Sequence, residues 1–214
     1  MKKGSRNNTN TRQRILDAAL QLFNQEGIAS VSLRQIAKVT GISQGNLNYY
    51  FKKREELVEA LYLELVDKMS VLVAEAAQQP PSLPQLLEAS ALTMRQFYAY
   101  RFFMLDFVHI MRQQPSIQTH YQQLTQLRRQ QFLRLFEYWT AAGIMREEAF
   151  PQEYAHFYTR SQILGDFWLS SAFTKAQTLS PDLIGAYNQA IFAQLFPYLT
   201  ARGKKDFLEL FNIT

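Results

Sequence analysis

Cysteine is absent from this 214-residue chain. Its absence excludes disulfides, a thiolate metal site and a cysteine nucleophile, and it suits a cytoplasmic protein. Histidine is scarce, occurring at His109, His120 and His156 with no metal-ligand spacing, so neither a metal nor a cofactor is expected. No glycine-rich phosphate loop and no internal repeat occurs. No apolar run reaches the roughly 20 residues that a membrane helix needs. The basic, polar N-terminus is not followed by an apolar run and a cleavage site, so neither a secretory leader nor a membrane partner is expected. No Ser–His–acid set stands out, and the chain does not read as an enzyme.

Hydrophobic residues make up 47% of the chain, enough for a small N-terminal module and a larger domain behind it. The charge is uneven. Through Arg54 ten basic residues face only Asp17 and Glu26, so this segment carries +8 and the remainder −3 of the net +5. Such polarity points to a polyanion bound at one end.

The stretch LRQIAKVTGISQGNLNYYF, residues 33–51, reads as two short helices around a tight turn. Leu33, Ile36, Ala37 and Val39 form one apolar face, Leu47 and Tyr50 the next, with the corner at Gly41 and Ile42. Ser32 and Gln35 have capping-box spacing, and Ser43 can cap the second helix. This is a helix-turn-helix pattern, whose second helix enters the major groove of DNA. Gln44, Asn46, Asn48 and Tyr49 are the expected base contacts, because an amide can pair with the edge of adenine. Arg34, Ser43, Tyr50, Lys52, Lys53 and Arg54 are the expected backbone contacts. Solvated polar residues at a helix start would look the same.

The expected organisation is all-α. Residues 1–10 form a flexible basic arm, 11–55 a three-helix DNA-binding domain, 56–203 a helical effector-binding and dimerisation domain, and 204–214 a short tail. Helices are expected at residues 11–25, ending at Gly27, and at 54–78, followed by the Pro80-Pro81-Ser82-Leu83-Pro84 break. Further helices are expected at 85–111, 116–142, 151–173 with Pro151 in its first turn, and 181–199. Gly203 is expected to set off the tail.

The segments RILDAALQLFNQEG, SLRQIA, GISQGNLNYYF and FKKREEL together resemble the TetR/AcrR family of bacterial transcriptional regulators. The match covers roughly residues 12–57. The resemblance implies a homodimer on a near-palindromic double-stranded operator, repressing until a small hydrophobic or aromatic ligand releases it. A DNA-binding factor controlled by protein partners, or by nothing, is the alternative. Relatives often carry lysine at position 44, a small residue at 46, tyrosine at 48 and histidine at 50. Here Gln44, Asn46, Asn48 and Tyr50 stand there, so the resemblance does not carry over an operator sequence.

Behind the prolines the chain is rich in aromatic residues and methionine. Arg101, Met104, Phe107, His109, Phe136, Trp139 and Phe157 are candidates for a ligand pocket, although aromatics at helical spacing also build solid cores. Arg101 and Asp106 are expected to form structural bridges. The last two long helices resemble the family's dimerisation pair, with Leu164, Phe167, Trp168, Ile184, Tyr187, Ile191, Leu195 and Tyr198 as candidates for interface or packing.

Overall fold

The computed structural model describes residues 3–78, 80–176 and 178–212, with side chains from Asn10 onward. All the described regular elements are helical apart from one antiparallel bridge, between Met145 and Leu199.

Helix α1 is Lys3–Glu26. It begins before the arm was expected to end, since the polar residues preceding Thr11 continue its helix. Gly27 closes it at φ +77°. Helices α2 (Leu33–Thr40) and α3 (Gln44–Tyr50) follow. Ser32 and Gln35 make the full capping box on α2, and Gly41 ends that helix at φ 71°. The Ser43 hydroxyl accepts from the Asn46 N–H at 3.1 Å, capping α3. Helix α4 (Arg54–Ala76) carries Glu55 and Glu56 in its first turn, where acidic charge suits the helix dipole. Ile15, Ala19, Phe23, Ile36, Leu47, Leu57 and Leu61 are fully or almost fully buried, closing the small module on the start of α4.

The stretch expected as one helix over 85–111 is three: α5 (Leu83–Ala99), α6 (Arg101–Leu105) and α7 (Phe107–Gln113). The first break has a visible occupant. The Asn24 side chain donates to the Ala99 carbonyl at 2.7 Å and accepts from the Phe102 N–H at 3.0 Å. A side chain inserted into the helical ladder interrupts it, and this one fastens α1 to the larger domain.

Helix α8 is Pro115–Ala141 and α9 is Glu153–Ala176. Pro151 is not in the first turn of α9, because Gln152 turns at φ 66° between them. Helix α10 is Leu183–Ala193, shorter than expected, and a 3-10 turn at Phe196–Tyr198 follows it. Gly203 does not separate a tail. It lies inside α11 (Ala201–Leu210), where a Cβ would collide with the Ile144 carbonyl. Thr200 donates its N–H to that same carbonyl at 3.0 Å. The glycine therefore allows α11 to press onto the 144–146 loop.

Candidate nucleic-acid interface and internal cavity

Helix α3 divides cleanly between scaffold and surface. Leu47 is fully buried, while Gln44, Asn46, Asn48 and Tyr49 are exposed, Tyr49 by 74%. Tyr50 is half-buried, and its ring packs edge-on to Tyr49 with centroids 5.2 Å apart. Arg34, Ser43, Lys52 and Lys53 are exposed around this helix. With the α3 amides they form one polar, basic face.

Arg54 differs from its neighbours. Its Nη1 donates to the carbonyls of Ile28, Ala29 and Val31 at 2.8, 3.2 and 3.3 Å. These carbonyls lie in the turn between α1 and α2, where the helical ladder leaves acceptors unused. One nitrogen of the guanidinium expected on a phosphate is thus a clamp inside the domain. Two other basic groups are similarly engaged. Arg14 donates to the Thr40 carbonyl at 2.6 Å, and Arg12 lies over the Phe51 ring at 5.2 Å. Sequence reading counted charges at this end and could not tell which were committed.

A cavity of about 160 Å³ lies in the larger domain among α4, α5, α6, α7, α8 and α9. Of the expected pocket residues, Met104 and Phe107 line it. Phe136, Trp139 and Phe157 do not, since they are buried in a second aromatic cluster with Phe192, Tyr198 and Phe207. Trp139 Nε1 donates there to the Pro81 carbonyl at 3.0 Å. Arg101 lies over the Tyr98 ring at 5.2 Å and donates to the Tyr98 carbonyl at 3.5 Å, with no ion pair to Asp106. His109 is exposed and borders a separate cleft with Arg54, Glu55 and Val58, between the small module and α7.

The cavity also has a polar end that the sequence did not single out as pocket. The Tyr121 hydroxyl donates to Asp166 Oδ2 at 2.6 Å and receives Gln162 Nε2 at 3.3 Å. Burial pushes the Asp166 carboxyl above its ordinary range. Burial also raises the Tyr121 phenol, helped by the nearby carboxylate. On the facing wall, burial raises Tyr62 to about 12, and its hydroxyl lies 2.9 Å from His120 Nδ1. In the sequence, Gln162 and Asp166 stand one helical turn apart within an otherwise apolar stretch.

Among the expected interface residues, Leu164 and Phe167 are exposed, whereas Tyr187 and Ile191 are half-buried. Trp168, Ile184, Leu195 and Tyr198 are buried within the chain itself. Trp168 on α9, Ile184 on α10, and Leu195 and Tyr198 beyond α10 turn inward to the core, so these four pack within the chain. Among the described residues, no three His, Asp or Glu side chains gather to hold a metal, and no helix is long and apolar enough to cross a membrane.

A helix-turn-helix module carried on a larger helical domain is the architecture of a DNA-binding transcriptional regulator. Residues 15–61 match the family of bacterial regulatory proteins called tetR, and residues 64–207 match its bacterial transcriptional repressor domain. The chain belongs to the TetR family of transcriptional regulators, which are DNA-binding proteins and not enzymes. It is 44% identical over 52 residues to the HTH-type transcriptional regulator AcrR of Shigella flexneri, which is 24% of each chain. It is 36% identical over 67 residues to the probable regulator YttP of Bacillus subtilis, 31% of this chain and 32% of that one. These likenesses therefore span a quarter to a third of the curated relatives. The whole fold is similar to a TetR-family regulator from Marinobacter aquaeolei, with TM-score 0.78 and 22% identity over 93% of this chain and 96% of that one. It is also similar to a regulator from Saccharomonospora viridis solved in complex with choline, with TM-score 0.69 and 20% identity over 89% and 98%.

Proposed function

We propose that this chain is a homodimeric repressor, released from its operator by a small ligand with an apolar body held in the cavity beside Phe107. The carrying observation is the division of α3, with Leu47 anchored in the core and Gln44, Asn46, Asn48 and Tyr49 free on the surface. Those four would read bases, while Arg34, Ser43, Lys52 and Lys53 would hold phosphates. Tyr50 and Arg54 support that face from within.

Exposed apolar groups on α9 support a dimer. Ile163, Leu164, Phe167 and Phe173 are exposed there, and such a patch on a soluble chain marks an interaction surface. A twofold assembly would set two α3 helices about 34–36 Å apart, one turn of DNA. The S. viridis neighbour, solved with choline, supports a small molecule as the regulator in this fold.

Footprinting on DNA upstream of the protein's own gene tests the reading. A salt-sensitive protected site with twofold symmetry is expected. A folded dimer that protects no such sequence would overturn it. Loss of protection on adding a compound that raises the melting temperature would establish control by a ligand.

A further inference from the structure

We propose that the internal cavity takes a small organic cation, an alkylammonium group on a compact apolar body, with Asp166 as its counter-ion. The assignment rests on the cavity being the effector site. Asp166 is the only carboxylate in the described lining. Its partners are a phenol and an amide, and no Lys, Arg or His among the described residues forms an ion pair with it. A half-buried carboxylate that lacks a positive partner is costly, and a cation arriving in the cavity would remove that cost.

The neighbouring wall suits such a guest. The Phe107 and Tyr121 rings lie 5.1 Å apart at 75°, and Tyr62 stacks on Phe103 at 5.2 Å. Ring faces attract a desolvated cation, an attraction that a neutral molecule of the same shape does not gain. Arg128 also borders the cavity, but its guanidinium is engaged elsewhere. It donates to Gln131 Oε1 at 2.9 Å and to Ser70 Oγ at 3.4 Å, and neither residue belongs to the lining. Those bonds hold Arg128 on neutral groups, and none of them gives Asp166 a positive partner. A volume of about 160 Å³ equals about five water volumes, which limits the guest to a compact body.

Isothermal titration of the full chain with three molecules of one shape tests this: neopentylammonium, neopentyl alcohol and pivalate. The ammonium should bind about ten-fold or more tighter than the alcohol, and pivalate weaker than either. Asp166→Asn should erase that preference and keep alcohol binding. Phe107→Leu, which keeps the carboxylate, should weaken the ammonium more than the alcohol, and it decides the matter where Asp166→Asn does not fold by circular dichroism. Equal binding of ammonium and alcohol, an unchanged preference in Asp166→Asn, or tighter binding of pivalate would overturn the cation site; the last would assign the charge to Arg128. Operator release is measured separately by fluorescence anisotropy. Ammonium binding without release upholds the site and overturns the effector reading. Failure of all three molecules to bind, with operator binding intact, overturns the cation site and leaves the DNA-binding reading standing.

Discussion

Two aromatic clusters in the larger domain share a composition and differ in what they enclose. Phe103, Phe107 and Tyr121 border the cavity, whereas Phe132, Phe136 and Phe157 pack on one another and do not line it. The filled cluster is knit together by ring contacts. Phe132 and Phe136 are 4.5 Å apart, Phe136 meets Tyr154 at 5.2 Å, and Phe157 meets Tyr198 at 5.0 Å. Helix α11 covers its far end with Phe207, which stacks on Phe192 at 5.3 Å. On the cavity side the chain is broken into short helices at Tyr100 and Asp106. Aromatic content therefore says nothing about vacancy.

Polar groups separate the clusters as well. Beside the filled one, Arg146 grips Glu153 through two bonds of 2.8 and 2.7 Å, and the Ala149 N–H adds a third at 2.7 Å. The Arg146 bonds hold the Glu153 carboxyl down at about 2. Beside the cavity, Asp166 has no cation and is pushed upward by burial. One carboxylate is settled by the fold, and the other is left for something else to settle.

The largest effect is expected where nothing is vacant. Phe136→Ala should cost about 3–5 kcal/mol in urea unfolding, because the closed cluster cannot collapse around the gap. Phe107→Ala should cost less, since its ring already borders empty space. Equal losses would break the contrast between hollow and filled.

Glu153→Gln should come next, at roughly 1–3 kcal/mol near neutral pH. The sign follows from its lowered value. The stabilisation is present above the unfolded value of 4.5 and is lost as pH falls through about 2. Melting temperatures of variant and parent should therefore converge on acidification. Asp166→Asn should behave oppositely. A raised folded value means that the ionised form burdens the fold, so the variant should lose no stability at neutral pH, and its relative gain should fade as pH falls through the carboxylate range. A clear loss at neutral pH would mean that Asp166 is structural.

Asn48→Ala should have the smallest effect on stability, within about 0.5 kcal/mol, because the side chain is exposed. Its effect should appear on DNA instead, as a loss of about 1–3 kcal/mol for the specific site. Competition gel shifts should show non-specific binding nearly unchanged. Equal loss on both would remove Asn48 from base readout.

The N-terminal module was legible because its determinants are local. Capping pairs, the Gly27 and Gly41 stops and the apolar spacing of α2 and α3 all act within a few residues, and each appears where the chain places it, except that Val39, expected on the apolar face of α2, is exposed while Thr40 is buried. The chain alone therefore determined an all-α protein with a charged helix-turn-helix at one end. Tertiary structure decided everything that depends on distant partners. It set Arg54 Nη1 as a clamp on Ile28, Ala29 and Val31, and it used Asn24 to break the helix at Tyr100. It buried Trp168, Ile184, Leu195 and Tyr198 within the chain. It also brought Tyr121 on α8 to Asp166 on α9, 45 residues apart, at the edge of a cavity. A helical period fixes which side of a helix is apolar, but only the neighbouring helices fix what that side meets.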